Sequence, residues 1–233
     1  MIGTQRDLAG ATAAGVLLAL SAAPAAAAGM APLAQYLIAD RNAEVAMARS
    51  AAPPSVSGEA TVLVLGPHGY ETAVKGHNGF VCLVERSWTS PFDAAWFWNP
   101  QIRAPICYNA PAARSVLSYT RQRTGWALAG WSREKMLAAM KAAAARKVLA
   151  VPAPGAMSYM LSKEQRLTDA PGPWRPHMMF HVPLADAAAW GANRPGSPIM
   201  LDTDHAPGPE PESVYMMAAT EWSDGTPAPA HQH

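Results

Sequence analysis

The sequence predicts a single α+β domain built on an antiparallel sheet of about five to seven short strands with three or four helices. Apolar residues make up 50% of the 233 residues and charged residues 15%, which is enough apolar material for a sizeable core. Short segments rich in β-forming residues are separated by turns, in keeping with 17 Gly and 22 Pro. Alanine-rich segments in which apolar residues recur at helical spacing predict the helices.

Residues 1–28 have the tripartite pattern of a secretory signal peptide. Arg6 precedes an apolar run from Ala11 to Ala23, and small residues follow Pro24. The run is about 13 residues long, against roughly 20 needed to span a bilayer. We therefore expect cleavage after Ala28, a periplasmic or secreted protein, and no transmembrane segment in the mature chain.

The predicted domain covers residues 29–225. Its first half begins with a helix over 31–52 that ends at Pro53. Alternating apolar residues and Gly-containing turns then predict a three-stranded meander over 60–65, 70–75 and 80–86. Residues 87–111 are aromatic and proline-rich, which indicates an irregular loop.

The second half is predicted to hold two helices, over 112–123 and 132–147, and Ser132 is a suitable N-cap for the second. One helical turn is expected over 186–190 and a disordered tail over 226–233. Four more strands are expected, over 156–162, 177–182, 197–201 and 213–220.

The chain has two cysteines, Cys82 and Cys107. An even number of cysteines in an oxidising compartment favours one disulfide, which would stabilise the fold by about 3 kcal/mol on the chain-entropy model. The alternative is a pair of buried free thiols.

Several strings resemble an uncharacterised family of exported bacterial proteins. They are residues 43–53, Asn-Gly-Phe-Val-Cys-Leu-Val-Glu-Arg at 78–86, Cys-Tyr-Asn at 107–109, Trp-Gly-Ala-Asn-Arg-Pro-Gly-Ser-Pro at 190–198 and Glu-Trp-Ser-Asp-Gly-Thr-Pro at 221–227. The resemblance covers most of the mature chain. It implies a single exported domain in which Cys82 pairs with Cys107, and it implies no activity and no catalytic residue.

A metal site is one functional hypothesis. His177 and His181 are four residues apart, so on a strand both side chains point to one face. A nearby segment adds Asp202, Asp204 and His205. If the strand ends meet, these groups would hold Zn²⁺ or Cu²⁺. The alternative is isolated histidines hydrogen-bonded to the backbone.

Methionine is abundant, with 12 residues and adjacent pairs at 178–179 and 216–217. Thioether sulfur suits Cu(I), and exported copper proteins use it. Because these pairs lie in predicted strands rather than in loops, we expect them to fill gaps in the core.

The aromatic loop is the other candidate site. We expect Trp88, Trp96, Trp98 and Tyr108 to bind a ligand, with Trp96 and Trp98 sharing a face if the segment is extended. The alternative is a tryptophan-rich lid packed on the sheet.

These observations favour a non-enzymatic binding or interaction module of the cell envelope, with an unknown small molecule or envelope partner. A formal net charge of +1 argues against nucleic acid as the partner. No catalytic residue is predicted, because Ser132-x-x-Lys135 and Tyr159-x-x-x-Lys163 lack the companion motifs that such chemistry needs. The alternative function is a metal-dependent enzyme or metal carrier that uses His177, His181 and His205.

Overall fold

One sheet organises the part of the chain that the computed structural model describes, residues 29–185, 187–201 and 208–229. Its strands are β1 (Thr61–Gly66), β2 (Gly69–Val74), β3 (Val81–Glu85), β4 (Ala104–Tyr108), β5 (Met157–Met160), β6 (His177–Pro183), β7 (Ile199–Leu201) and β8 (Glu212–Ala218). The helices are α1 (Arg41–Arg49), α2 (Pro54–Ser57), α3 (Ala110–Arg114), α4 (Leu117–Leu128) and α5 (Arg133–Ala145). Short 3₁₀ turns cover Leu33–Gln35, Ser87–Thr89 and Ala187–Trp190. The predicted α+β class is confirmed, although the eight strands and five helices of these residues exceed the predicted numbers.

The strand order is β2-β1-β3-β4-β5-β6-β8-β7, and all neighbours are antiparallel except β1 and β3. The predicted meander is therefore wrong, because β3 pairs in parallel with β1 rather than with β2. The different burial of β1 and β2 explains their positions in the strand order. The four middle residues of β1 are buried on both faces, whereas β2 exposes Glu71 and Thr72 and lies at the edge.

Strand β4 is the one strand that the sequence did not predict. Pro105 lies in its middle, and proline is rare inside sheets because it lacks a backbone donor. β3 pairs with the whole of β4, but β5 pairs only with Cys107 and Tyr108. Pro105 thus lies where β4 has a strand on one side only, a position that a proline tolerates.

The first helix is shorter than predicted. Leu33–Gln35 forms a 3₁₀ turn, and α1 begins after Asp40, whose carboxylate accepts from the Asn42 N–H at 2.8 Å. The helix predicted over 132–147 is present as α5, and the Ser132 hydroxyl accepts from the Lys135 N–H at 3.3 Å. Local capping therefore sets both starts.

Helices cover both faces of strands β1, β3 and β4. α1 packs on one face, over a cluster that includes Ala48, Val62, Val84 and both cysteines. α3 and α4 pack on the other face, where Ala112, Val116, Leu117 and Tyr119 form one cluster with the sheet residues Leu63, Leu83, Ala104, Ile106 and Tyr108. A third cluster joins the aromatic loop to α4 and α5, through Tyr36, Leu65, Trp88, Phe92, Phe97, Ala127 and Met136.

The disulfide predicted between Cys82 and Cys107 is present. The two residues are directly opposite each other on β3 and β4, beneath α1. None of the described helices is both long enough and apolar enough to cross a membrane.

A buried ion pair ties α1 to the end of β3. Arg86 and Glu44 are almost completely buried, and the guanidinium donates to Glu44 Oε1 at 2.8 Å. Arg86 also donates to the carbonyl of Tyr36 at 2.7 Å, while Glu44 accepts from the Leu65 N–H at 3.1 Å. Each buried charge thereby makes a further hydrogen bond besides the ion pair, which offsets part of the cost of burying it.

Several predicted features lie wholly or partly outside the described residues. The signal peptide, residues 1–28, is outside them, as are Asp202, Asp204 and His205. Within the predicted tail, Pro227 forms a bridge with Glu221, and the Ala228 N–H donates to the carbonyl of Thr220 at 2.8 Å. The first residues of the tail thus belong to an ordered turn.

Candidate functional site

The four aromatic residues predicted to bind a ligand are in two different environments. Trp88 is fully buried, its indole N–H donates to the Thr124 hydroxyl at 3.0 Å, and its ring packs 5.0 Å from that of Tyr36. Tyr108 is buried within β4, where its hydroxyl donates to Glu85 at 2.8 Å. Both side chains therefore belong to the core.

Trp96 and Trp98, in contrast, line one cleft of about 940 Å³. The segment that carries them is a series of turns rather than an extended strand, and Phe97 between them is buried. The cleft, which we call the aromatic cleft, is also lined by Met30, Leu33, Asn99, Leu128, Trp131, Ser132, Glu134 and Asp169, among others.

Contacts behind the cleft hold its walls in place. The Tyr36 hydroxyl donates to the carbonyl of Trp98 at 2.6 Å, and the Phe97 ring meets the Trp98 ring edge-on at 4.7 Å. Trp131 stacks on Trp126 with ring centroids 5.3 Å apart, and the Lys135 ammonium lies 3.9 Å from the centre of the Trp131 ring. The walls are thus formed before any ligand arrives, which lowers the entropic cost of binding.

The cleft has a polar rim. The Asn99 amide donates to the Asp169 carboxylate, and Asn99 Oδ1 accepts from the Gln101 N–H at 2.8 Å. At the start of α5, hydrogen bonds from the Glu134 N–H and from Ser132 hold the pKa of the Glu134 carboxyl below its usual value. Two carboxylates and an amide therefore border an aromatic floor.

A hydrogen-bonded chain of Ser158, His181 and Glu212 crosses β5, β6 and β8. The Ser158 hydroxyl is 3.1 Å from His181 Nε2, and His181 Nδ1 is 3.1 Å from Glu212 Oε2. These residue types in this order are those of a nucleophile, its base and an orienting carboxylate. Ser158 is completely buried, however, so its hydroxyl meets no substrate in this structure, and the chain ties three strands together. Sequence analysis missed it because its members share no local motif.

The two histidines of the metal hypothesis have separate partners. The Nδ1 atom of His177 bonds to the carbonyl of Arg175 at 2.9 Å, and the ring lies edge-on to Trp174. Burial lowers the pKa of His177 to about 4, so its ring is neutral. His181 is bonded to Ser158 and Glu212. Among the described residues, no three His, Cys, Asp or Glu side chains are placed to share a metal ion. The hypothesis stays a prediction, because Asp202, Asp204 and His205 lie outside those residues.

Comparisons with protein-family models, with curated proteins and with solved structures found no match. No activity therefore transfers to this chain from a relative.

Of the two cavities described, the aromatic cleft is the larger, since the other, bordered by Lys163 and Pro173, has a volume of about 370 Å³.

Proposed function

We propose that this chain is an exported, non-enzymatic binding module of the cell envelope that takes a saccharide into the aromatic cleft. The observation that carries the proposal is the combination of Trp96 and Trp98 with Asn99 and Asp169 around one cleft. The volume of about 940 Å³ falls within the range of small-molecule sites, roughly 300–1,000 Å³.

The chemistry of the lining favours a sugar over a purely apolar ligand. A pyranose ring presents C–H groups on its faces and hydroxyls around its edge, so it stacks on indole and hydrogen-bonds to amides and carboxylates. Asn99, Glu134 and Asp169 provide such partners beside the indoles of Trp96 and Trp98. An apolar aromatic ligand would displace water from these polar groups without replacing the hydrogen bonds that the water makes, which costs free energy.

The export expected from the sequence supports the same class of ligand. The signal-peptide pattern of residues 1–28 favours export, and the Cys82–Cys107 disulfide suits an oxidising compartment. Envelope glycans and their fragments are available in that compartment.

The test is a titration of the mature protein with chitotriose, cellotriose and maltotriose, followed by tryptophan fluorescence and by calorimetry. At least one of these probes is expected to bind saturably, and Trp96→Ala and Trp98→Ala are expected to weaken its binding at least tenfold, a loss of about 1.4 kcal/mol. Trp190→Ala is the matched control, since Trp190 is exposed and stacks on Tyr215 outside the cleft.

Unchanged affinity in both cleft variants would exclude the cleft as the site. Saturable binding of an aromatic probe such as 1-naphthol, with no response to any of the three sugars, would contradict the proposal that the ligand is a saccharide. Thermal unfolding of each variant separates loss of a contact from loss of the fold.

A further inference from the structure

Strands β6, β8 and β7 carry three methionines in one cross-strand row. Met179 is directly opposite Met216, and Met216 is directly opposite Met200. Directly paired residues of neighbouring antiparallel strands project from the same face of a sheet, with Cβ atoms about 4.5–5.5 Å apart. We call Met179, Met216 and Met200 the methionine row.

Core packing accounts for only part of this row, because Met179 packs against the core cluster around Tyr108, whereas Met216 and Met200 belong to none of the three clusters. Met136 and Met140 of α5 are fully buried, as methionines that fill a core should be, whereas all three members of the row are only half-buried. Strand positions favour β-branched and aromatic residues, so three aligned methionines depart from the usual composition of a sheet. What the three side chains share is a half-buried thioether sulfur on one face of the sheet.

Thioether sulfur is a soft, neutral ligand that suits Cu(I) and disfavours hard cations such as Mg²⁺ and Ca²⁺. Each methionine has three rotatable side-chain bonds, so sulfurs on adjacent strands can turn toward one point above the central strand. The nearest imidazoles on this face, His177 and His181, are already hydrogen-bonded, which leaves the three sulfurs as the soft donors.

We propose that Met179, Met216 and Met200 form a Cu(I) site on one face of the outer strands, where all three side chains are half-buried. The site binds the ion without a redox step and uses none of the carboxylates of the earlier metal hypothesis. It is also independent of the aromatic cleft, which lies among other residues.

The test is an anaerobic titration of the mature protein with Cu(I) in competition with bathocuproine disulfonate. We expect the wild type to withdraw one Cu(I) per chain from the chelator. The triple variant Met179→Leu/Met216→Leu/Met200→Leu is expected to lose this binding by at least a hundredfold, because leucine keeps the volume and removes the sulfur. The control is Met178→Leu/Met217→Leu, which removes a directly opposed pair of sulfurs from the other face of β6 and β8 and should bind as the wild type does.

Failure of the wild type to compete for Cu(I), or equal affinity in the triple variant, would overturn the proposal. If the triple variant does not fold, the single substitution Met216→Leu at the centre of the row is expected to weaken binding at least tenfold. X-ray absorption of the wild-type complex gives a separate measurement. Sulfur atoms are expected to coordinate the copper ion, and coordination by nitrogen and oxygen alone would contradict the proposed site.

Discussion

The two halves of the sheet differ in how they are covered. In the inner half (β2, β1, β3 and β4), helices pack on both faces of β1, β3 and β4, and β4 is buried along its whole length. In the outer half (β5, β6, β8 and β7), β7 is half-buried throughout, and β8 buries only Tyr215 fully. The inner half therefore carries most of the buried apolar surface that stabilises the fold, while the outer half leaves apolar and thioether side chains accessible.

The largest loss of stability is expected when one charge of the Glu44–Arg86 pair in the inner half is removed. Glu44→Gln leaves Arg86 buried without a counter-charge, so the free energy of unfolding should fall by about 4 kcal/mol. Urea denaturation measures the change. Glu71→Gln, which breaks the exposed ion pair with Arg41, is the control and should cost less than about 1 kcal/mol. Equal losses in the two variants would contradict the difference in burial.

The second prediction concerns the disulfide, which also lies in the inner half. Cys82→Ala/Cys107→Ala should lower the free energy of unfolding by about 3 kcal/mol, because opening a cross-link between residues 25 positions apart frees the unfolded chain. Denaturation of the wild type with and without reductant provides the comparison. The wild type in reductant should approach the stability of the double variant, and a wild type unaffected by full reduction would contradict the prediction.

Two matched leucine-to-alanine substitutions, one in each half of the sheet, compare the packing of the two halves directly. Leu83→Ala in β3 removes a fully buried side chain and should cost about 3 kcal/mol. The same change at Leu201 in β7 removes a half-buried side chain and should cost about 1 kcal/mol. Similar losses at the two sites would mean that the outer half is as tightly packed as the inner half.

A pH-dependent loss of stability is expected from His177, a buried group in the outer half. Its folded-state pKa of about 4 lies below the unfolded value of 6.5, so the unfolded chain binds the extra proton between these pH values. Stability is therefore fully present above pH 6.5 and is lost as the pH falls toward 4. The loss is about 2 kcal/mol between pH 8 and pH 5. In His177→Gln, denaturation curves over this range should lose that part of the pH dependence. An unchanged pH profile would show that His177 does not cause it.

Much of the fold could be predicted from local patterns. The strands at Thr61–Gly66, Val81–Glu85 and His177–Pro183 follow from their β-forming residues and bounding turns, and α5 follows from its alanines and from the Ser132 cap. β4 could not be predicted, because Pro105 opposes a strand locally and is tolerated only where its open side has no neighbour.

The candidate sites were predictable in part. Composition and spacing single out Trp96 and Trp98, which line one cleft, but they do not distinguish Trp88 and Tyr108 from them, because burial depends on the tertiary structure. The Ser158–His181–Glu212 chain and the methionine row join residues that are distant in sequence. Only strand pairing brings their members together.

The sequence by itself determined the α+β class, most of the elements and the cysteine pair, because capping, periodicity and turn chemistry act over a few residues. The tertiary structure alone decided that β3 lies parallel to β1, which half of the sheet is covered and which side chains share a site. These features depend on the register between segments far apart in the chain. Register is set by the total surface that the assembled fold can bury, a quantity that no local pattern contains.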